Sequence, residues 1–318
     1  MRPQQSGKSN LEVFADTLLS LAKEDPQILV VTGDSRGSGM LTNFGRILPD
    51  QLVEVGIAEQ NLIGVSAGLA SAGKHVFAVS PACFQTARSL EQIKNDVAYS
   101  DQLVKLIGIS AGVSYGALGS THHSFHDFAV LLAFHNVDIV APADNFETRE
   151  VIKAAIHHQR PVYIRFGKKP LANLHRPGEK YTIGKSIQIR DGRDVAFIAT
   201  GEMVSRALGA AELLDQNGIS SRVISMHTLR PFDTEALFDA AKNSSALITV
   251  EEHSVNGGLG SLCASLLMQA GIWLPLKIVG IPVEATVTGS QEEILGYYGI
   301  NPQRLAETAK CLLFEKRS

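Results

Sequence analysis

The sequence lacks the features that define several classes of protein. Its 318 residues carry a net charge of −3 at pH 7, so charge gives no reason to expect nucleic acid or an anionic membrane as a partner. Its three cysteines, Cys83, Cys263 and Cys311, are far apart and form neither a disulfide framework nor a metal cluster, which fits a reducing cytosol. There is no run of about 18 apolar residues to predict a transmembrane helix, and the polar N-terminus lacks the apolar core of a signal peptide. We therefore expect a cytoplasmic protein without membrane or nucleic-acid partners.

Length and composition predict two globular domains. At roughly 150 residues per domain, the chain is long enough for two, and 45% hydrophobic with 19% charged residues is ordinary globular composition. Strand and helix patterns alternate along both halves, and several predicted strands are apolar on both faces, as in a parallel sheet covered by helices. We expect an α/β fold with two doubly wound domains. The predicted boundaries are a flexible tail at 1–10, a first domain at 11–168, a linker at 169–185 and a second domain at 186–318.

A carboxylate stands at a predicted strand-to-helix junction. The extended run 51–55 ends at Gly56, and a helix pattern starts near Ala58 and continues towards Gly73. Glu59 therefore lies at the rim of the sheet, where open α/β folds bind ligands. Small and apolar residues follow it, and a carboxyl group in such surroundings is hard to ionise, so it suits a proton donor at neutral pH. The structural alternative is a first-turn glutamate that the helix dipole favours.

The segment 119–127 packs three histidines and an aspartate into a loop that enters a predicted helix. His122 and His126 are four residues apart, so a metal site on one helix face is one hypothesis, although no third ligand is evident nearby. Solvated loop histidines are a second interpretation. Proton transfer is the third and the one we favour, because an imidazole titrates near neutral pH. The glycine-rich loop 33–39 also follows a strand, but it matches neither a dinucleotide-binding nor a Walker phosphate motif.

Two segments carry a specific resemblance to a known family. The string Val55-Gly-Ile-Ala-Glu-Gln-Asn61, followed by a helix rich in Gly and Ala, resembles the pyrimidine-binding domain of transketolases and of 1-deoxyxylulose 5-phosphate synthases. Gly119-Ser-Thr-His122 is similar to the stretch whose histidine lines the substrate channel in transketolases. The resemblance implies that Glu59 hydrogen-bonds a ring nitrogen of thiamine diphosphate and that His122 is catalytic and contacts the substrate.

The resemblance assigns further residues around the cofactor and the substrate. Phe84, just after a predicted strand, aligns with a phenylalanine that stacks on the aminopyrimidine ring. Asp34 aligns with an aspartate near the cofactor, and Ser38 aligns with a serine near the phosphate of the substrate. The segment 249–260 resembles the C-terminal domain of the family, which implies self-association through the second domain.

Four positions depart from the pattern of the family. Ser9 stands roughly where the family has an arginine before its first helix, Ser110 where it has a second histidine, and Leu118 where it has an aspartate that reads a sugar hydroxyl. Lys168 replaces a phosphate-binding arginine, and a lysine lacks the planar fork with which arginine binds an anion. The cofactor half-site is thus intact, whereas the substrate-binding pocket is altered. We predict a non-standard sugar substrate, such as a branched or sulfonated one.

The resemblance covers residues 11–315 but only the C-terminal part of a full-length transketolase. The Gly-Asp-Gly motif and the later asparagine that hold the diphosphate through a divalent metal are missing from the sequence. The resemblance therefore implies the small, C-terminal subunit of a split transketolase, which moves a two-carbon ketol unit from a ketose to an aldose. A larger N-terminal transketolase subunit would bind most of the Mg²⁺ and diphosphate, within a heterotetramer.

Two other functions remain open from the sequence. The β subunit of a 2-oxo-acid dehydrogenase or decarboxylating synthase shares this architecture and its glutamate, and release of CO2 from a pyruvate-like substrate would identify it. A non-catalytic, flavodoxin-like binding subunit is the alternative from another class. Failure to bind the cofactor even with a partner subunit present would identify that alternative.

Overall fold

The computed structural model describes residues 6–175 and 178–314, and for Ser6 the backbone alone. The strands are β1 (Ser6–Ser9), β2 (Ile28–Thr32), β3 (Leu52–Glu54), β4 (His75–Pro81), β5 (Lys105–Ile109), β6 (Asp138–Val140), β7 (Val162–Arg165), β8 (Pro170–Ala172), β9 (Ile187–Arg190), β10 (Val195–Ala199), β11 (Ser221–Ser225), β12 (Thr228–Arg230), β13 (Ala246–Ser254) and β14 (Leu276–Ile281). The helices are α1 (Asn10–Glu24), α2 (Thr42–Ile47), α3 (Glu59–Ser71), α4 (Ala82–Arg88), α5 (Leu90–Gln92), α6 (Asp127–Leu132), α7 (Asn145–Ile156), α8 (Met203–Asp215), α9 (Thr234–Lys242), α10 (Leu259–Gln269), α11 (Gln291–Tyr297) and α12 (Pro302–Phe314). A π-helical segment (Ile93–Tyr99) continues α5, and short 3-10 helices lie at Pro49–Gln51 and Gly116–Leu118.

The first sheet has seven strands in the order β12-β6-β7-β5-β4-β2-β3. All its pairings are parallel except that of β12 with β6. The central strands β5, β6 and β7 are buried on both faces, which confirms the predicted parallel sheet covered by helices. Because the carboxyl ends of parallel strands meet at one edge, the loops after β2, β3, β4 and β5 share a rim.

The second sheet has five strands in the order β14-β13-β10-β11-β9. It is parallel apart from the edge strand β9, which runs antiparallel to β11. The two sheets and their helices confirm an α/β fold in both halves of the chain. Within the part of the chain that the structure describes, no helix combines the length and the hydropathy needed to cross a bilayer.

The predicted N-terminal tail differs from what the structure shows. Residues 1–5 lie outside the described part of the chain, but Ser6–Ser9 forms β1 and pairs antiparallel with β8, within the predicted linker. The Ser9 hydroxyl accepts a hydrogen bond from the Glu12 N–H, and the Glu12 carboxylate accepts one from the Ser9 N–H. This capping box gives Ser9 a role in starting α1. The tail prediction was therefore wrong for Ser6–Ser9, because local polarity does not show a strand partner more than a hundred residues away.

The helix after β4 begins earlier than its pattern predicts. The sequence pattern predicts a helix over residues 87–98, but α4 starts at Ala82 and ends at Arg88, and α5 and the π-helical segment then extend to Tyr99. Phe84 and Arg88 consequently lie four residues apart on one helix, so their side chains are neighbours on its surface. This spacing determines the geometry of the candidate site.

The second half of the chain also contributes to the first sheet. β12 pairs with β6, with Thr228 opposite Val140. At the end of β12, the Arg230 guanidinium donates to the carbonyl oxygens of Leu132 and Phe134 behind α6. The alternation of strand and helix patterns did not reveal β12, since a three-residue edge strand is defined by its partner rather than by its own sequence.

Candidate active site

Glu59 is the first residue of α3, directly behind β3, which confirms its predicted position at a strand-to-helix junction. Its side chain is buried, with 2% of its surface exposed. Gly56 in the preceding turn has a φ of 73°, a conformation that glycine adopts without a steric penalty. Glu54 holds the turn, because its carboxylate accepts hydrogen bonds from the N–H groups of Gly56 (3.1 Å) and Asp34 (2.7 Å). Sequence reasoning did not identify this link between the two loops.

Arg88 contacts both residues predicted to hold the pyrimidine ring. Its Nη1 donates to Glu59 Oε2 over 2.6 Å, and its Cζ lies 4.8 Å from the centre of the Phe84 ring. The Arg88 side chain is 48% exposed. The small and apolar surroundings predicted for Glu59 were thus incomplete, because an opposite charge also pairs with its carboxyl group. Sequence reasoning missed Arg88, and its spacing of four residues from Phe84 was the available signal.

Phe84 begins a row of contacts that ends at Lys168. The rings of Phe84 and His122 meet edge-on with centres 5.2 Å apart, and the rings of His122 and Tyr115 do so at 5.4 Å. Lys168 Nζ lies 4.9 Å from the centre of the Tyr115 ring. Nδ1 of His122 is 3.0 Å from the hydroxyl oxygen of Thr121. The structure therefore brings Phe84, His122 and Lys168 into one row, in which the imidazole lies between two aromatic rings and the cation lies against the second ring.

Ser110 and Leu118 lie beside this row. Ser110 directly follows β5, is buried and has a φ of 53°. Burial raises the pKa of Tyr115, and the neighbouring Ser110 hydroxyl reduces that rise. Leu118 is more than half exposed, in the 3-10 helix that precedes His122. An exposed apolar side chain thus stands where the predicted alignment places the family's hydroxyl-reading aspartate.

Asp34 and Ser38 lie in the loop after β2, on the same rim as Glu59. Asp34 is exposed, with a φ of 54°. The Ser38 hydroxyl donates to the carbonyl oxygen of Ser35 over 3.2 Å. The described contacts of both residues are with their own loop and with Glu54, so their roles near the cofactor and the phosphate stay predictions.

The three histidines of the loop 119–127 have separate surroundings. His123 is buried with Nε2 2.9 Å from the Gly116 carbonyl oxygen, and burial lowers its pKa. His126 Nε2 lies 3.3 Å from the hydroxyl oxygen of Thr86. Among residues 6–175 and 178–314, no three His, Cys, Asp or Glu side chains are grouped to hold a metal ion.

Asp127 belongs to a buried polar network that reaches Glu252 in the second half of the chain. Arg165 donates through Nε to Asp127 (2.8 Å) and through Nη2 to the carbonyl oxygens of Ser124 (3.2 Å) and Glu252 (2.7 Å). The Tyr163 hydroxyl donates to the same oxygen of Asp127 over 2.8 Å. Burial alone would raise the pKa of Asp127, but the charge of Arg165 holds it below its ordinary value. This network joins the two domains and gives Asp127 a structural role.

Glu251 has a structural role in the second domain. Its carboxylate accepts hydrogen bonds from the N–H groups of Leu259 (2.7 Å) and Gly260 (2.8 Å), at the start of α10. Burial raises its pKa to about 7, although these hydrogen bonds oppose the rise. A Cβ atom on Gly258 would stand 2.0 Å from Glu251 Oε2, so the double-glycine turn allows the close approach that this capping needs.

Glu59 and Phe84 are placed so that one flat, polar group contacts both. In the structure that group is the guanidinium of Arg88. An aminopyrimidine ring shares its two relevant properties, because it has a face that stacks on an aromatic ring and a nitrogen that hydrogen-bonds a carboxyl group. The residues present therefore fit the pyrimidine end of thiamine diphosphate.

Comparison with protein families identifies both halves of the chain. Residues 7–173 match the family model "Transketolase, pyrimidine binding domain", and residues 184–305 match "Transketolase, C-terminal domain". The two matches together cover most of the sequence, and the first includes all the residues of the candidate site.

Individual relatives are similar over nearly their whole length. The chain is 46% identical over 297 residues to one of the subunits of the apulose-4-phosphate transketolase of Phocaeicola vulgatus, covering 93% of this chain and 95% of that protein. It is 33% identical to the "6-deoxy-6-sulfo-D-fructose transketolase subunit SqwH" of Clostridium sp., covering 94% and 92%. A solved structure titled "Split gene transketolase, inactive beta4 tetramer" superposes with a TM-score of 0.89 at 33% identity, over 98% of this chain and 100% of that one.

Proposed function

The chain belongs to the transketolase family, and from this membership we propose that it is the small subunit of a split, thiamine-diphosphate-dependent transketolase. In this role it takes part in moving a two-carbon ketol unit from a ketose to an aldose. We assign the diphosphate and Mg²⁺ to a larger N-terminal subunit, because the sequence lacks the Gly-Asp-Gly motif that binds them in the family. The names of the two relatives as transketolase subunits support this division.

One observation carries the proposal: Glu59 and Phe84 contact the same flat group. We assign Glu59 to the hydrogen bond with a pyrimidine nitrogen and Phe84 to stacking, which contributes about 1 kcal/mol beyond the burial of area. Thiamine diphosphate, when bound, supplies the electron sink for breaking a carbon–carbon bond beside a carbonyl group. Glu59 presents its buried carboxyl group to a ring nitrogen, and the surrounding rim orients the ring.

The row that continues from Phe84 provides the residues for the sugar. We assign His122 to proton transfer at the substrate, because its ring is half-buried next to the stacking phenylalanine. Lys168 supplies a positive charge for an anionic group of the substrate, and the Tyr115 ring holds its ammonium group near His122. We assign Ser110, which is buried beside Tyr115, to the same group of residues in place of the family's histidine.

We propose a branched ketose phosphate of the apulose 4-phosphate type as the donor. The relative at 46% identity is named for apulose 4-phosphate, whereas the relative at 33% is named for a sulfonated ketose. Both sugars carry an anionic group, for which Lys168 provides a single flexible charge rather than a fixed fork. The exposed Leu118 gives apolar surface where the family reads a hydroxyl.

The donor assignment is tested by co-expressing the chain with a candidate large subunit. Consumption of apulose 4-phosphate, 6-deoxy-6-sulfofructose and xylulose 5-phosphate is followed with one common aldose acceptor. We expect apulose 4-phosphate to react fastest and neither subunit to react alone. Fast turnover of xylulose 5-phosphate would contradict a non-standard donor. Release of CO2 from pyruvate would instead identify the dehydrogenase subunit, and absence of cofactor binding in the mixture would favour the non-catalytic alternative.

Lys168 can be tested separately, because Lys169 offers a matched control. Lys168→Gln should raise the KM of a phosphorylated donor roughly tenfold, equivalent to about 1.4 kcal/mol. Lys169 lies 3.7 Å from Glu292 in the second domain, so Lys169→Gln should leave the KM unchanged. Equal effects of the two substitutions would show that Lys168 contributes only to the general charge of the surface.

We propose further that the active assembly is a cytoplasmic heterotetramer. The structurally similar split transketolase is described as an inactive beta4 tetramer, which supports self-association of such a subunit without its partner. Light scattering of the chain alone and of the mixture tests this. We expect a homo-oligomer in the first sample and equal numbers of both subunits in the second. A monomer in both samples would exclude the heterotetramer.

A further inference from the structure

The guanidinium of Arg88 makes the two contacts that the proposed function assigns to the aminopyrimidine ring. It donates a hydrogen bond to Glu59 Oε2 over 2.6 Å, and it lies 4.8 Å from the centre of the Phe84 ring. A guanidinium is flat and delocalised, so it both stacks on an aromatic ring and hydrogen-bonds in its own plane. The Arg88 guanidinium therefore occupies the position that the proposed function assigns to the ring.

Arg88 and a pyrimidine ring compete for the same atoms. The carboxyl group of Glu59 is buried, whereas the side chain of Arg88, which pairs with it, is 48% exposed. Phe84 already meets the His122 ring edge-on at 5.2 Å, which further restricts the space around it. A second flat group cannot occupy the same position against Glu59 and Phe84 while the guanidinium is there, because atoms in close-packed sites exclude one another.

The guanidinium can leave this position. Arg88 is the last residue of α4, and 48% of its side chain is exposed, so a rotation about its flexible stem carries the charge into water. The hydrogen-bond partner that the structure describes for its guanidinium is Glu59. In the absence of the ring, the exposed guanidinium hydrogen-bonds the Glu59 carboxyl group, a place that water can take when the arginine turns outward.

We propose that Arg88 gates the cofactor half-site. In the free subunit its guanidinium occupies the aminopyrimidine position, and it swings outward when the cofactor enters with the partner subunit. This inference rests on the proposed function, because it takes Glu59 and Phe84 as the pyrimidine-binding residues. Only molecules with an open site can bind the ring. The apparent affinity is therefore the intrinsic affinity multiplied by the fraction of molecules that are open.

The test uses the full chain without a partner and a probe that contains only the ring, 4-amino-5-hydroxymethyl-2-methylpyrimidine. Titration by NMR or calorimetry compares the wild type with Arg88→Ala. We expect Arg88→Ala to bind the probe roughly five- to tenfold more tightly, because the open fraction rises to one. Arg304→Ala is the matched control, since Arg304 pairs with Glu307 at 2.8 Å on α12, and it should bind the probe as the wild type does.

A second measurement follows the guanidinium directly. In protein with ¹⁵N-labelled arginine, the Arg88 side-chain signals should shift on addition of the probe towards those of Glu59→Gln, in which the ionic pair is broken. Unchanged or weaker binding by Arg88→Ala would overturn the gate and would make Arg88 a residue that positions Glu59 or holds the ring. Absence of probe binding by every variant would also overturn it.

The failure of the gate and the failure of the proposed function give different results. If Arg88→Ala binds the probe no better but the assembled enzyme transfers ketol units, only the gate is wrong. If the assembled enzyme shows no thiamine-diphosphate-dependent transfer, the proposed function itself is wrong, whatever the probe shows.

Discussion

Two arginine–carboxylate pairs in the first domain have nearly the same local geometry. Arg88 pairs with Glu59 at 2.6 Å, and Arg165 pairs with Asp127 at 2.8 Å. Each guanidinium carbon lies 4.8 Å from the centre of a phenylalanine ring, and each carboxylate is buried. The difference is in the arginines, because the Arg88 side chain is 48% exposed and that of Arg165 only 8%.

Exposure separates a pair that can open from a pair that cannot. Arg165 also donates to two backbone carbonyl oxygens, one of them in the second domain, so its removal breaks contacts with several elements. Burial alone would lower the pKa of Arg165, but the charges of Asp127 and Glu252 raise it above its ordinary value. Arg88 has water beside it and can exchange its partner for solvent. An arginine–carboxylate pair thus stabilises the fold at Arg165, whereas the similar pair at Arg88 is a contact that can be replaced.

The largest effect is expected at the carboxylate of the exposed pair. In the assembled enzyme, Glu59→Gln should reduce the rate of ketol transfer by about 10²- to 10⁴-fold, the range of a lost proton-transfer group. Unfolding by urea should show little change in stability, because glutamine has a similar size. A variant that keeps most of its activity would contradict the assignment of Glu59. Loss of the folded state would leave its catalytic role unsupported.

Removal of the arginine from the buried pair, Arg165 with Asp127, should instead lower the stability of the protein. Arg165→Met leaves Asp127 buried without its cation, and breaking a buried pair in this way costs about 3–5 kcal/mol of unfolding free energy. Chemical denaturation of the full chain measures this loss. Arg165→Met combined with Asp127→Asn should regain part of it, because no unpaired charge remains. A loss below about 1 kcal/mol for the single variant would show that Arg165 is no better buried in solution than Arg88.

His175 forms a third buried contact with carboxylates, and its charge depends on pH. Its Nδ1 lies 2.9 Å from Asp144 and its Nε2 lies 3.1 Å from Glu147. Burial alone would lower its pKa, but the hydrogen bond with Asp144 and the charge of Glu147 raise it to about 9. Since the folded value exceeds the ordinary value of 6.5, the stabilisation is complete below pH 6.5 and is lost as the pH rises through about 9.

The rise in the pKa of His175 corresponds to about 3 kcal/mol of unfolding free energy. The difference in unfolding free energy between the wild type and His175→Gln should therefore be largest at pH 6 and should shrink towards pH 10. Measuring the difference removes the contribution of the other groups that titrate in this range. A difference that does not depend on pH would show that His175 is neutral in the folded protein.

The smallest effect is expected from the arginine of the exposed pair. Arg88→Ala should change the unfolding free energy by less than about 1 kcal/mol, because water enters the vacated position and solvates Glu59. Arg304→Ala, at an exposed pair in the second domain, should give a change of similar size. A loss as large as that of Arg165→Met would remove the distinction between the two pairs.

Much of the fold could be predicted from the sequence because its signals are local. The runs that form β2, β4, β5 and β10 are mostly apolar, and the position of Glu59 follows from a strand that ends beside a helix pattern. The edge strands β1, β9 and β12 were missed. Each of them is short and is defined by hydrogen bonds to a distant partner, as with Ser6–Ser9 and Pro170–Ala172.

The candidate site could be predicted only in part, because only some of its residues belong to local motifs. Phe84, His122 and Lys168 were identified through motifs, and the structure places them in one row. Tyr115, which lies between the latter two, and Arg88 were missed. Both residues contact side chains from other segments of the chain, and neither belongs to a short motif that would identify its role from the sequence.

The sequence by itself determined the two α/β domains, the family and the carboxylate at the head of α3, because hydrophobic periodicity and short motifs are properties of neighbouring residues. Only the tertiary structure decided which charge stands beside that carboxylate. Arg88 reaches Glu59 because α4 starts at Ala82 and packs against α3, which brings together two side chains 29 residues apart. The distance between such groups, and their access to water, depends on packing that no local pattern records.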